Sequence, residues 1–201
     1  MKSKLSNFLK KIILFSILII PNIVNADFFE DISNKIVNNP KRLSYGISVA
    51  DIDQNEKYEF IVTGFGYPNL ALSYDKGKLI NVANQKIFSD GFRKTIGVAA
   101  CDVDRDGYEE IYFLNTDTYS GTKKYSDRLI DLEGNKFLDM FEIEKNKEEL
   151  NLTAGRSVAC VDRKGNGEYG LYVSNYGGPT RFYEIEDNKI KDKSADLNLD
   201  K

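Results

Sequence analysis

A threefold internal repeat constrains this chain more than any other feature. Three segments align: Gly46-Ile47-Ser48-Val49-Ala50-Asp51, Gly97-Val98-Ala99-Ala100-Cys101-Asp102 and Gly155-Arg156-Ser157-Val158-Ala159-Cys160-Val161-Asp162. Each opens on glycine and small or β-branched residues, passes into an Asp/Asn/Gly-rich turn, and re-enters an apolar run at 59–63, 110–114 or 170–173. A second hairpin signature follows every copy: 70–74 and 78–82 around Asp75-Lys76-Gly77, 128–132 and 136–140 around Glu133-Gly134-Asn135, 181–185 and 189–193 around Glu186-Asp187-Asn188. Apolar runs flanking Gly/Asn/Asp turns are hairpins. Each repeat therefore predicts four antiparallel strands in roughly 50 to 60 residues, the size of one propeller blade.

The expected fold is all-β, a partial β-propeller of about three four-stranded antiparallel blades in an incomplete ring. The blades are read at 45–95, 96–153 and 154–201, after a 27–44 lead-in. The small residues of each first strand suit a crowded position near a central axis. Phe28-Phe29-Glu30-Asp31-Ile32 resembles the outermost strands Phe137-Leu138-Asp139-Met140 and Ile190-Lys191-Asp192-Lys193, so an N-terminal strand is expected there. The stretch 194–199 reads as the start of another blade. A ring normally needs about four to eight blades, and open edges invite association. The expectation is part of a longer protein or a truncated remnant, with edge-mediated self-association.

The N-terminus predicts export. Lys2, Lys4, Lys10 and Lys11 precede an apolar 12–20 stretch, and Val24-Asn25-Ala26 places small residues for cleavage, so 1–26 reads as a signal peptide. The apolar stretch is shorter than the roughly 20 residues that span a bilayer, so no stable membrane anchor is expected. The expected location is secreted or periplasmic. Net charge is −3 with basic residues scattered, which argues against a nucleic-acid partner. Histidine is absent, removing Ser-His and Cys-His catalytic couples and imidazole metal ligands.

Acidic turns join the first two strands of each repeat. In Asp102-Val103-Asp104-Arg105-Asp106-Gly107-Tyr108-Glu109-Glu110, side-chain oxygens of Asp102, Asp104, Asp106 and Glu110 fall at positions 1, 3, 5 and 9, and Tyr108 at position 7 offers its carbonyl. Calcium takes six to eight oxygens at about 2.3 to 2.6 Å, and alternate residues of a tight loop supply them. Gly107 gives the positive φ that such a turn demands. The first turn keeps the pattern with Asp51, Asp53, Asn55, the Lys57 carbonyl and Glu59, but has Glu56 where glycine belongs, which predicts strained binding. The third has Lys164 at position 3 and Gly170 at position 9, which predicts no ion, the Lys164 ammonium being an alternative staple. The competing reading is that Asp, Asn and Gly are simply turn formers.

Strand, D-x-D-x-[DN]-G turn, strand and a Gly-Pro segment, here Gly64-Phe65-Gly66-Tyr67-Pro68-Asn69 and Asn175-Tyr176-Gly177-Gly178-Pro179, resemble FG-GAP or VCBS repeats, as in integrin α-subunit propellers. More narrowly, 45–72, 98–115 and 154–175 resemble the N-terminal repeats of the cartilage acidic protein family, most distinctively through Ala154-Gly155-Arg156-Ser157-Val158-Ala159-Cys160-Val161-Asp162-Arg163-Lys164-Gly165. The resemblance implies a propeller of seven or so blades, secretion, Ca2+ in the acidic turns, and a binding or matrix role without catalysis.

Other residues leave alternatives open. Cys101 and Cys160 fit either a disulfide or two small buried residues, their one-residue offset bearing on direction. Arg156 fits either an anion-binding channel residue or a partner of a loop carboxylate. Whether Asn151-Leu152-Thr153 carries a glycan depends on the host. Taken together, the sequence predicts a calcium-binding scaffold for extracellular or periplasmic protein or glycan, met through loops such as 119–125. A propeller-based carbohydrate-active or other hydrolytic enzyme is the alternative.

Overall fold

The computed structural model of the chain describes residues 29–83, 86–134 and 136–200. The predicted signal peptide and Phe28 lie outside them. From Ser33 onward the chain forms three four-stranded antiparallel sheets. The first holds β1 (Ile47–Ala50), β2 (Glu59–Val62), β3 (Leu70–Asp75) and β4 (Lys78–Asn81); the second β5 (Thr95–Cys101), β6 (Glu110–Asn115), β7 (Arg128–Glu133) and β8 (Lys136–Asp139). The third holds β9 (Gly155–Val161), β10 (Gly170–Asn175), β11 (Arg181–Glu186) and β12 (Lys189–Asp192). In every sheet the spatial order follows the chain order, giving an all-β, incomplete propeller-like arrangement with no closed barrel.

The outer hairpins turn as their residues dictate. Lys76 and Gly77 have φ of 47° and 82°, and Asp187 and Asn188 have 50° and 56°. Positive φ at both central residues matches a two-residue turn to the twist of its strands. The expected N-terminal strand is corrected: Phe29–Ile32 carries none among the described residues, and it is Ile36 that bridges Leu79 of β4, in parallel.

Alternation within the strands buries side chains between sheets. Ala50, Ile61 and Ala71 pack with Phe88 against Val98, Ile111, Phe113 and Ile130 of the second sheet. On its other face the second sheet presents Tyr112, Leu114 and Leu129 to Leu171, Val173 and Tyr183 of the third. The middle sheet is thus covered on both sides, and all six residues of β6 are buried. That fits the unbroken apolar run Ile111-Tyr112-Phe113-Leu114 within β6, whereas burial alternates along β2.

The glycines that open the repeats answer to the close approach of the neighbouring sheet. A Cβ on Gly155 would lie 2.3 Å from Leu114 Cδ1, and one on Gly46 3.0 Å from Gly97 Cα. Cys101 and Cys160 are joined in a disulfide with Cα atoms 6.2 Å apart, tying β5 to β9. The offset between them is what aims the sulfurs. Glu110 pairs with Cys101 and its counterpart Gly170 with Val161, so Cys160 sits one place back and faces the second sheet while Cys101 faces the third. Equivalent positions would have pointed the same way round the axis.

Candidate metal centre

The three acidic turns share a backbone frame. Their fourth and sixth residues are left-handed throughout: Gln54 and Glu56 at 56° and 65°, Arg105 and Gly107 at 72° and 95°, Gly165 and Gly167 at 68° and 82°. The leading aspartate fills the curve by accepting amide hydrogens. Asp51 accepts from Asn55 and Glu56 at 3.0 and 2.7 Å, and Asp102 from Arg105 and Gly107 at 2.6 and 3.1 Å. Asp162 accepts from residues 164 to 167, closest from Gly165 and Gly167 at 2.7 Å. The fifth residue repeats the device: Asn55 takes the Lys57 amide at 2.9 Å and Asp106 the Tyr108 amide at 2.8 Å.

Within this frame carboxylates converge. Oxygens of Asp102, Asp104 and Asp106 lie within 4.8 Å of one another, as do those of Asp51, Asp53 and Glu59. Oxygens about 2.4 Å from a shared cation cannot be more than about 4.8 Å apart, so both sets have the dimensions of a calcium shell. Glu110, like Glu59, is buried; its Oε2 accepts from the amides of Val103 at 2.7 Å and Asp104 at 3.2 Å, bracing the turn from beneath as Glu59 Oε2 does through the Ile52 amide at 3.3 Å.

Burial and neighbouring charge push several of these carboxyls toward their protonated form. Burial, reinforced by Asp104 and Asp131, pushes the Glu110 carboxyl up to about 8. Burial and the charge of Asp104 raise Asp131 to about 6, and Asp104 and Glu59 are also raised, chiefly by burial. Asp131, on β7, belongs to this acidic group although sequence reasoning confined to the turn missed it. Its signal was a carboxylate inside the apolar run Leu129-Ile130-Asp131-Leu132. Ser73 takes the same side of the first site, hydrogen-bonding Glu59.

The third turn is neutralised by its own side chains. Lys164 pairs with Glu168 at 3.0 Å, not with Asp162, so the expected staple stands on the rim of the turn rather than in an ion's place. Arg163 forks onto Glu184 at 2.7 and 3.1 Å. Neighbouring turns also touch: the Asp51 amide donates to Glu109 at 3.4 Å, and Arg105 pairs with Glu168 at 2.7 Å. Replacing Glu56 with glycine is expected to stabilise the protein by up to about 1 kcal/mol, or ~2–4 °C in a thermal melt, by relieving a left-handed residue with a Cβ. An unchanged or lower melting temperature would count against strain at that position.

Two other predicted positions lie elsewhere. Arg156 pairs with no carboxylate among the described residues; its guanidinium donates to the carbonyls of Gly155 and Tyr119 and stacks between Tyr119 and Tyr176. Asn151 is fully buried and donates to Asp127 and Asn175 at 2.6 and 3.0 Å, which leaves a glycan no room on the folded chain.

No protein-family model matches the sequence, so the likeness to FG-GAP and VCBS repeats rests on the turn motifs. A protein from Xenopus tropicalis is 39% identical over 188 residues, covering 82% of this chain and 29% of that protein. The chain is similar to cartilage acidic protein 1. Human cartilage acidic protein 1 is 42% identical over 164 residues, covering 74% of this chain and 25% of the human protein. The chain thus spans less than a third of these relatives' length. A match over 82% of the chain takes in more than any one sheet, so the likeness to cartilage acidic protein 1 extends across the repeats.

Proposed function

We propose that the chain is an exported, calcium-stiffened binding scaffold without catalytic activity. The observation that carries this is the second turn, where three carboxylates crowd within 4.8 Å above a buried glutamate. Three carboxylates so placed repel one another, and a divalent ion turns that repulsion into attraction. Asp102, Asp104, Asp106 and the Tyr108 carbonyl would hold the ion, with Glu110 bracing the turn from below and Asp131 beside it. Asp51, Asp53, Asn55, the Lys57 carbonyl and Glu59 form the weaker first site. Pinning these turns fixes the inner hairpins and hence the loops at the opposite ends of the sheets, which meet protein or glycan.

Export is supported by the 1–26 signal pattern, by the disulfide, which persists in oxidising compartments, and by relatives named for cartilage. Among the described residues no helix is long and apolar enough to cross a membrane. We read 45–95, 96–153 and 154–201 as three blades after a 27–44 lead-in.

A melt in calcium against one in chelator tests the proposal. Calcium at about 100 times its dissociation constant adds ~2.7 kcal/mol, a rise of about 5–10 °C for a domain this size. Asp104→Asn should remove most of the rise. An identical melt in both buffers overturns the calcium reading.

A further inference from the structure

Each inner strand begins at the end of its sheet opposite the acidic turns, and there the chain builds a second constellation. Tyr45 precedes β1, Lys94 precedes β5 and Arg156 lies in β9; with Phe65, Asp117 and Tyr119 they line a cleft of about 440 Å3 spanning all three sheets. Its aromatic walls are held in place. Tyr45 and Phe65 meet edge to face at 5.4 Å. Tyr119 is 79% exposed at a loop tip, yet the Arg156 guanidinium lies 5.3 Å from its ring and 5.2 Å from that of Tyr176, and the two rings meet at 5.3 Å. An exposed ring clamped in this way presents a fixed apolar plate to solvent.

The charges of the cleft are unbalanced. The Lys94 ammonium lies over the Phe65 ring, 5.6 Å from its centroid, and among the described residues Arg156 hydrogen-bonds to neutral oxygens. Neither forms an ion pair among the described residues. Asp117 spends its carboxylate on the amides of Lys124 and Tyr125, both at 3.0 Å, and keeps lone pairs for a hydroxyl donor. Rigid rings, a hydroxyl acceptor and two cations without counter-charge describe a ligand with an apolar face, hydroxyls and an anionic group.

We propose that this cleft binds an acidic oligosaccharide, a chain of sugars bearing carboxylates. A sugar ring lies with its C–H face on Tyr119, its hydroxyls meet Asp117, and its carboxylate meets Lys94 in the field of Arg156. Two cations against one acid leave a single net positive charge, which suits one carboxylate per sugar better than the denser charge of sulfated or phosphorylated units. The inference names the ligand class for the scaffold proposed above and rests on that reading.

Titration calorimetry on the full chain in calcium, with three probes of one backbone, tests it: a β-1,4-linked glucuronate oligomer, the neutral cello-oligomer and its 6-sulfated form. The glucuronate oligomer is expected to bind at least ~10-fold more tightly than the neutral one, weakening as salt rises, since a charge-assisted bond is lost without the carboxylate. Lys94→Gln and Tyr119→Ala, both at exposed positions, should each weaken it ~10-fold with the melt unchanged. Equal binding of the neutral oligomer, tighter binding of the sulfated one, or indifference to Lys94→Gln overturns the carboxylate assignment. If no probe binds while the calcium-dependent melt persists, the ligand class falls and the scaffold reading stands.

Discussion

Replacing Asp127 with alanine is expected to lower the stability of the protein by about 3–5 kcal/mol, or ~6–20 °C in melting temperature. The Asp127 side chain is fully buried and serves four donors: the Asn115 amide at 2.6 Å, the Tyr112 hydroxyl at 2.8 Å, the Asn151 amide nitrogen at 2.6 Å, and the Lys123 ammonium. Lys123 is itself fully buried, with the Asn115 carbonyl 2.9 Å away. Burial pushes Asp127 up and Lys123 down from their ordinary values, and their mutual attraction works against both shifts. Removing the carboxylate strands a buried cation and three donors at once, and unpaired buried charge is the costlier loss. A cycle with Lys123→Met separates the terms in urea titrations. Asp127→Asn combined with Lys123→Met should cost at least ~2 kcal/mol less than the sum of the single changes. Strict additivity would mean that the two charges do not support each other.

This network shows where sequence reading stops. All twelve strands could be found from hairpin signatures, because apolar runs flank short turns rich in Gly, Asn and Asp, and the structure puts positive φ at Gly77, Gly134, Asp187 and Asn188. The burial of Asp127 and Lys123 could not be found that way. Both sit in the polar connection between β6 and β7, where composition predicts exposure, and only the packing of the third sheet against that loop, with Asn151 and Asn175 closing over it, encloses them.

The candidate sites divide along the same line. Residues that converge through local backbone geometry, Asp102, Asp104 and Asp106, could be named from spacing alone. Asp131 could not, since it arrives from another strand through sheet register, nor could the placing of Arg156 between tyrosines from the loops after β6 and β10. Glu56 was readable as an irregularity, and its φ of 65° gives that irregularity a physical form. The offset of the two cysteines was readable as a number but not as a direction. In a fan of sheets each strand has a face toward the preceding sheet and a face toward the next, and a single-residue slip exchanges them.

That slip bears on the second large effect. Replacing Cys101 and Cys160 together with alanine is expected to cost about 2–4 kcal/mol, or ~4–16 °C. The bridge spans 59 residues, and closing a loop of that size in the unfolded chain is worth ~4 kcal/mol on chain entropy alone, an upper figure because unfolded chains keep some structure. Both sulfurs lie in the apolar layer between the second and third sheets, so alanine leaves small gaps rather than buried polar groups. Reductant should lower the melting temperature of the wild-type chain by a similar amount and leave the double variant unmoved. Two free thiols in the unreduced protein would remove the bridge from the account. Because Cys101 directly precedes Asp102, the loss should also reach the acidic turn: hydrogen exchange is expected to quicken in β5 and β9 and in the amides of 103–107, while β1 to β4, outside the closed loop, keep their protection.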